Sequence, residues 1–229
     1  MRTLLICAMD SEADGFRAML TERRDEEISS LTFSDGKLYG NPVTVVRCGV
    51  GKVNAALCAQ TAILRYAPDV VINVGVGGGV GTGIVTGHVV VAKDTIQYDF
   101  DLTAIGEDDG KVAPCDDSVS QALYRAACAV LPEGHASFGR IATGDRFVGD
   151  SETSARLRDH YGALVCEMEG GAVAQVCAVN GVPCAVLRAV SDNANEQSEV
   201  DFPTFLASAV SDTEKIMAAY FSSLEEASV

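Results

Sequence analysis

The chain has 229 residues, 48% of them apolar and 21% charged, enough to fold one domain around a sizeable core and too few charges for a disordered polymer. Seventeen Lys and Arg against 32 Asp and Glu give a net charge of −15, which repels phosphate backbones and anionic lipid and argues against a nucleic-acid or membrane-surface partner. With no Trp and 6% aromatic residues, a stacking platform for single strands is poorly supplied.

The first apolar run, Thr3–Met9, reads as a buried strand. It is not a signal-peptide core, because Asp10-Ser-Glu-Ala-Asp14 follows at once without a small-residue cleavage site. Asp10–Leu20 reads as a helix. Leu31-Thr-Phe33, Asp35-Gly36, Lys37-Leu-Tyr39, Asn41-Pro42 and Val43–Cys48 read as a hairpin and a further strand. Lys52–Tyr66 is helical, with Val53, Ala56, Leu57 and Leu64 on one face and Gln60 interrupting the stripe. Val70–Val74 and His88–Ala92 read as strands. The uncharged stretch from Val70 to Gly87 holds seven glycines, too many for a packed membrane-spanning helix. Asp117–Leu131 is a predicted helix. Gly139–Ala142, Leu164–Glu167 and Cys184–Val190 are predicted strands, and Glu169–Val179 and Thr204–Leu224 predicted helices. Continuous apolar strands separated by helices predict an α/β fold: a single domain over residues 1–229, with a central mixed, largely parallel sheet flanked by helices on both faces.

Eight cysteines, at 7, 48, 58, 115, 128, 166, 177 and 184, contain no C-x-x-C and lie mostly inside apolar runs. They read as reduced small hydrophobes of a cytoplasmic protein. His88, His135 and His160 are far apart and lack ligand spacing, so no metal is expected and no cofactor is assigned.

In a parallel α/β sheet, ligands collect beyond the carboxyl ends of the strands. Asp10-Ser-Glu12 follows the first strand, and Gly75-Val-Gly-Gly-Gly-Val-Gly81 follows the strand at Val70. Thr143-Gly-Asp-Arg-Phe147-Val148, Glu167-Met-Glu169 and Ser191-Asp192 follow three later strands. The glycine run lacks a strict G-x-G-x-x-G, since position 80 is Val, and Gly51-Lys52 is no phosphate-binding loop, since positions 46 and 53 are Val. The run fits either close approach of backbone to a ligand or a plain strand-to-loop turn.

Four carboxylates stand out: Glu12, Glu167, Glu169 and Asp192. An ordinary Asp or Glu is a solvated surface group, and Ser191-Asp192 could simply cap a following helix. Two residues apart in an extended segment share a face, so Glu167 and Glu169 could both point at one pocket while Met168 points away or lines its rim. Arg188, inside Cys184-Ala-Val-Leu187 and Ala189-Val190, needs a partner: either a structural ion pair with one of these glutamates or the task of orienting a carboxylate or water.

The pieces Ala8-Met9-x-x-Glu12, Cys48-Gly-Val-Gly-Lys-Val53, Asn73-Val-Gly-x-x-Gly78-Gly79, Thr143-Gly-Asp-Arg-Phe147, Val165-Cys-Glu-Met-Glu169 and Arg188-Ala-Val-Ser-Asp192 occur in this order. Together they closely resemble the 5′-methylthioadenosine/S-adenosylhomocysteine nucleosidases of the purine nucleoside phosphorylase superfamily. The resemblance spans nearly the whole chain. It implies a sheet partly rolled into a barrel, a homodimer, and a small-molecule nucleoside and water as partners. It implies that Glu12 positions and deprotonates the attacking water, that Glu169 binds the ribose hydroxyls with Met168 against the sugar, and that Asp192 protonates adenine N7. Phe147 would stack on the base, the Val148 backbone would read its Watson–Crick edge, and Gly78 would lie against the nucleoside. Met9, Val50 and Phe202 would line the 5′-substituent pocket. Glu167, Arg188 and Ser191 complete the expected substrate-binding set.

The implied activity is hydrolysis of the N-glycosidic bond of methylthioadenosine, S-adenosylhomocysteine and, as a further candidate, 5′-deoxyadenosine, releasing adenine and the sugar. Such cleavage passes through an oxocarbenium-like sugar and needs a protonated leaving base, so Asp192 must carry a proton near neutral pH. Two departures stand out. Nucleosidases of this kind usually carry Ser where this chain has Val76. Phosphorylases tend to place Arg at Asn73 and Ser or Thr at Val76, both of which grip phosphate, and their joint absence favours water as nucleophile. The alternatives are a purine nucleoside phosphorylase, an aminodeoxyfutalosine hydrolase and a non-catalytic nucleoside-binding protein.

Overall fold

The computed structural model describes residues 1–226. In chain order the elements are β1 (Thr3–Cys7), α1 (Asp10–Met19), β2 (Thr21–Ile28), β3 (Leu31–Leu38), β4 (Asn41–Arg47), α2 (Lys52–Tyr66), β5 (Val70–Gly79) and β6 (Val89–Asp101). There follow β7 (Asp109–Pro114), α3 (Asp117–Val130), β8 (Ala136–Thr143), α4 (Ser151–Tyr161), β9 (Ala163–Glu167), α5 (Gly170–Asn180), β10 (Cys184–Asp192) and α6 (Ser198–Glu226).

Among the described residues ten strands form one sheet, and part of it closes on itself. β5 pairs with β10, β10 with β6, β6 with β8, β8 with β9, and β9 returns to β5. The β5–β10, β6–β8 and β8–β9 pairs are parallel, and β10–β6 and β9–β5 are antiparallel. From β5 the sheet runs out through β1, β4 and β3 to the edge strand β2. The expected mixed, partly rolled sheet is therefore present.

The sheet divides two apolar layers by simple alternation. Leu5, Ile72, Ala185 and Leu187 face one side, with Phe16 of α1, Leu123 of α3 and Ile216, Tyr220 and Phe221 of α6. Leu4, Ile6, Val71 and Val186 face the other, with Cys58, Ala59 and Ala62 of α2 and Val173 and Cys177 of α5. Both faces are covered, which is why β1 and β10 are buried along their whole length and are apolar except for Thr3 in β1 and Arg188, Ser191 and Asp192 in β10. Among the described residues no helix is long and apolar enough to cross a membrane.

The structure corrects several expected elements. Asp35-Gly36 lies inside β3, not at a turn. The turns are Ser29-Ser30 and Tyr39-Gly40, whose residues all have positive φ, the geometry that matches hairpin twist. Gly36 is needed for a different reason: a Cβ there would meet the Thr21 carbonyl oxygen at 2.7 Å. The charged segment TERRDEEI forms β2, an edge strand paired only with β3, where charge protects the open edge. β7 and α4 were not expected, β6 runs well past Ala92, and α6 begins before Pro203. Residues 75–79 of the glycine run are not a loop after the strand but the second half of β5, which closes the barrel. A Cβ on Gly77 would lie 2.7 Å from Val165 Cγ1 and 2.8 Å from the Cys166 oxygen, so β9 can cross only glycine here.

Candidate active site

The carboxyl ends of β1, β5, β8, β9 and β10 open into one cleft. Its walls include Met9, Glu12, Val50, Gly78, Phe147, Val148, Glu167, Met168, Glu169, Ser191, Asp192 and Phe202. All the expected site residues except Arg188 thus border a single space. Ala8, Val76, Gly77, Arg146 and Cys166 border it as well.

Glu12 sits in the first turn of α1 and bends back over the end of β1. Its Oε2 accepts from the Ala8 and Met9 amides, both at 2.9 Å, and its Oε1 from the Val76 amide at 3.0 Å. A carboxylate offers about four lone-pair positions, so these three bonds leave one free. Burial raises the Glu12 pKa above the usual carboxylate value, against the opposing pull of Arg188 and the three amides. The close seating requires Gly75, because a Cβ there would stand 2.6 Å from Glu12 Oε1.

Glu167 and Glu169 do not share the face of an extended segment. β9 ends at Glu167, the chain bends at Met168, and Glu169 is the residue before α5, with φ −132° and ψ −40°. Both carboxylates nevertheless come to Arg188. Glu167 is bound directly by Arg188 Nη2 and by the Thr143 hydroxyl, and accepts the Glu169 and Gly170 amides at 3.0 and 2.7 Å. Arg188 Nη2 also stands 3.7 Å from Glu169 Oε2. Glu169 Oε1 takes the Gly51 amide at 2.8 Å. Burial first, and then repulsion from Glu167, raise the Glu169 carboxyl to about 7, while Arg188 and the Gly51 amide pull it down.

Arg188 is buried beneath the cleft and does not line it. Of the two open readings, the structure favours the ion pair, with Glu167. Asn73 completes the support: its Oδ1 accepts from Arg188 Nη2 at 2.5 Å, and its amide donates to the Ile6 oxygen at 2.9 Å. Burial lowers the guanidinium pKa, but Glu167, Glu169 and Glu12 outweigh it, and the net direction is up.

Asp192 ends β10. The parallel register with β5 shifts between Val190 and Asp192, which sets Asp192 opposite Gly78. A Cβ on Gly78 would lie 3.0 Å from Asp192 Oδ1, so glycine gives the carboxylate its room. Oδ1 accepts the Ala194 amide at 2.9 Å and Oδ2 the Ser191 hydroxyl at 2.9 Å. Asp192 therefore caps a local turn, not the helix that follows, since α6 starts only at Ser198. The Ser191 hydroxyl has a second acceptor, the Gly77 oxygen at 3.4 Å, so it can turn away from Asp192. At the mouth, Phe147 and Phe202 meet edge to face, with ring centres 5.9 Å apart and planes at 88°.

Several contributors escape a reading of side chains. The Ala8, Met9, Gly51 and Val76 amides act through the backbone, and Asn73 and Thr143 act through Arg188 and Glu167. The piece Cys48-Gly-Val-Gly-Lys-Val53 was the available signal for Gly51.

With this geometry in view, the comparisons decide the family. A family model described as the phosphorylase superfamily matches residues 2–222. The 5′-methylthioadenosine/S-adenosylhomocysteine nucleosidase of Shewanella oneidensis is 37% identical over 215 residues, covering 91% of each chain. This chain belongs to the 5′-methylthioadenosine/S-adenosylhomocysteine nucleosidases of the phosphorylase superfamily. The nucleosidase of an Exiguobacterium species is 36% identical, covering 99% of this chain and 100% of its own. Among solved structures, the Neisseria meningitidis nucleosidase in complex with methylthio-immucillin-A superposes with a TM-score of 0.92 at 34% identity, covering 97% of this chain and 99% of that one. The nucleosidase fold and the expected motif residues thus coincide in one cleft.

Proposed function

We propose that this chain hydrolyses the N-glycosidic bond of methylthioadenosine and S-adenosylhomocysteine, releasing adenine and the thio-substituted ribose. The observation that carries this is the convergence of Glu12, Glu169 and Asp192, from three separate elements, on one cleft floored by Arg188.

The single free lone-pair position of Glu12 holds a water against the sugar. Glu169 accepts the ribose hydroxyls, and its charge, with that of Glu12, favours the cationic sugar of the transition state. Asp192 gives a proton to N7 as the C1′–N9 bond breaks and its electron pair moves into the purine. The water oxygen bonds to C1′, and its proton passes to Glu12. Ser191 can turn from Asp192 Oδ2 to the Gly77 oxygen, which frees Oδ2 to carry the proton. Phe147 covers the base, Val148 presents its backbone to it, and Met168 packs on the sugar. Met9, Val50 and Phe202 form an apolar wall for the 5′-thio group, and Gly78 admits the nucleoside edge. Water rather than phosphate fits the site, because Asn73 is committed to Arg188 and Val76 contributes only its amide to Glu12.

The chain is expected to act as a homodimer. Val53, Leu57 and Leu64 on the outer stripe of α2 are exposed, as is Val179 on α5, which packs beside α2; sedimentation analysis tests this. A cytoplasmic location is supported by the free thiols of all eight cysteines. The activity is tested by adenine release from methylthioadenosine, adenosylhomocysteine, 5′-deoxyadenosine, inosine and aminodeoxyfutalosine, with and without phosphate. Phosphate-independent release from the two thio-nucleosides is expected; release that requires phosphate would reject hydrolysis.

A further inference from the structure

Three charged side chains outside the cleft tie together the two loops that form its rim. Lys52 opens α2, Asp99 lies near the end of β6, and Asp145 sits in the loop after β8. Lys52 Nζ is 2.6 Å from Asp99 Oδ1. The Asp145 amide donates to Asp99 Oδ2 at 2.9 Å, and the Lys52 amide donates to Asp145 Oδ1 at 2.8 Å. The three residues close a ring. The Lys52–Asp99 pair is largely shielded, with side chains 17% and 33% exposed, so water and salt screen it less than an open surface pair.

The ring also solves a local problem of α2. The residue before that helix is Gly51, with φ +97°, and it has no side chain to satisfy the first amides. Asp145 supplies the missing cap from 93 residues away and sets its charge at the positive end of the helix. A Cβ on Gly51 would stand 3.1 Å from Asp145 Oδ1, so glycine lets the carboxylate come close.

The neighbours of the ring belong to the site. The Gly51 amide donates to Glu169 Oε1, Val50 lines the cleft, and Phe147 and Val148 lie two and three residues after Asp145 in the same loop. We propose that Lys52, Asp99 and Asp145 form a clasp that positions the Gly51 amide against Glu169 and Phe147 over the base, and so acts on catalysis without touching substrate. The proposal rests on Glu169 being the ribose-binding carboxylate.

The clasp has a pH signature. The groups that face Glu169 are Glu167 on β9, Arg188 on β10, Glu12 on α1, the Cys48 thiol after β4 and the Gly51 amide. Of these, Arg188 and the Gly51 amide hold the Glu169 carboxyl down. Loss of the amide raises it further, so less of Glu169 is ionised on the acidic side, and the loss of activity grows as pH falls.

The test compares Asp145→Ala, Asp145→Asn and Asp116→Ala. Asn still accepts the Lys52 amide, and Asp116 caps α3 through Val119, in a different helix. Asp145→Ala is expected to lower kcat/KM about tenfold at about pH 6 and about twofold at about pH 8, the pattern of a one-unit displacement. Asp145→Asn restores most of this, and Asp116→Ala lowers the melting temperature without displacing the acidic limb. An acidic limb of Asp145→Ala that superimposes on that of the unaltered protein overturns the proposal. Amide hydrogen exchange at Gly51 and Lys52 gives a second readout that needs no turnover. Faster exchange in Asp145→Ala than in Asp145→Asn supports the clasp, and equal exchange overturns it. If the unaltered protein released no adenine, the assignment of activity would fail while the exchange result still decided the clasp.

Discussion

Arg188 and Glu167 form an ion pair in which both side chains are only 1% exposed. Every other strong contact of Glu167 comes from the Thr143 hydroxyl and two backbone amides, so the pair is a fixed floor and not a mobile acid. Breaking one side leaves an uncompensated buried charge. Arg188→Met is therefore expected to cost about 3–5 kcal/mol in urea unfolding, and the double variant Arg188→Met/Glu167→Met much less. A double variant as unstable as the single one would show that the floor is not held by this pairing.

Gly75 constrains Glu12, the proposed general base. A Cβ at that position would overlap Glu12 Oε1. Gly75→Ala must displace Glu12 from the three amides that seat it, and turnover should fall by roughly 10²-fold or more, the scale of losing a positioned general base. Circular dichroism should show an intact fold. Near-normal turnover in Gly75→Ala would mean that the seating of Glu12 does not matter.

The Glu169 carboxyl, raised to about 7 from an ordinary value of 4.5, makes stability depend on pH. Between those values the folded chain binds more protons than the unfolded one, so stability falls as pH rises. The contribution is fully present below 4.5 and lost as pH passes 7. The unaltered protein should lose on the order of 3 kcal/mol relative to Glu169→Gln between about pH 4.5 and 8. The same titration should place an acidic limb near neutrality in its kcat/KM profile. Parallel stability profiles for the two proteins would contradict this.

Asp192→Asn keeps the shape of the side chain and its bond to the Ala194 amide but cannot deliver a proton to the base. Turnover should drop about 10²–10⁴-fold while a nucleoside analogue still binds in calorimetry. Loss of binding in step with turnover would recast Asp192 as a binding group. Ser191→Ala should cost less, because only the partner that can rotate is removed.

Much of this site could be read from the order of residues alone. Glu12, Glu169 and Asp192 each follow an apolar strand; β1, β5 and β10 are parallel neighbours whose ends converge, while Glu169 arrives from β9, which crosses the end of β5 antiparallel. Less visible were the groups whose function depends on long-range contacts. Asn73 stood out only as a position that does not suit phosphate, yet it anchors Arg188, 115 residues away. Alternation put Glu167 beside Glu169 on one face, whereas the bend at Met168 sends Glu167 down to the floor. The glycine run looked like a loop because glycine is a poor strand former; the crossing of β9 at Gly77 and the seating of Glu12 and Asp192 against Gly75 and Gly78 explain why a strand needs it there. β2 was hidden because an edge strand rich in charge carries no apolar alternation.

Hydrolysis at this site requires a water oxygen, held by Glu12, to become bonded to the sugar carbon that adenine leaves. Hydrolysis of methylthioadenosine in ¹⁸O-enriched, phosphate-free water, read by mass spectrometry, tests this directly. One ¹⁸O in the methylthioribose and none in the adenine is the predicted result. An unlabelled or phosphorylated sugar, or no reaction until phosphate is added, would contradict it.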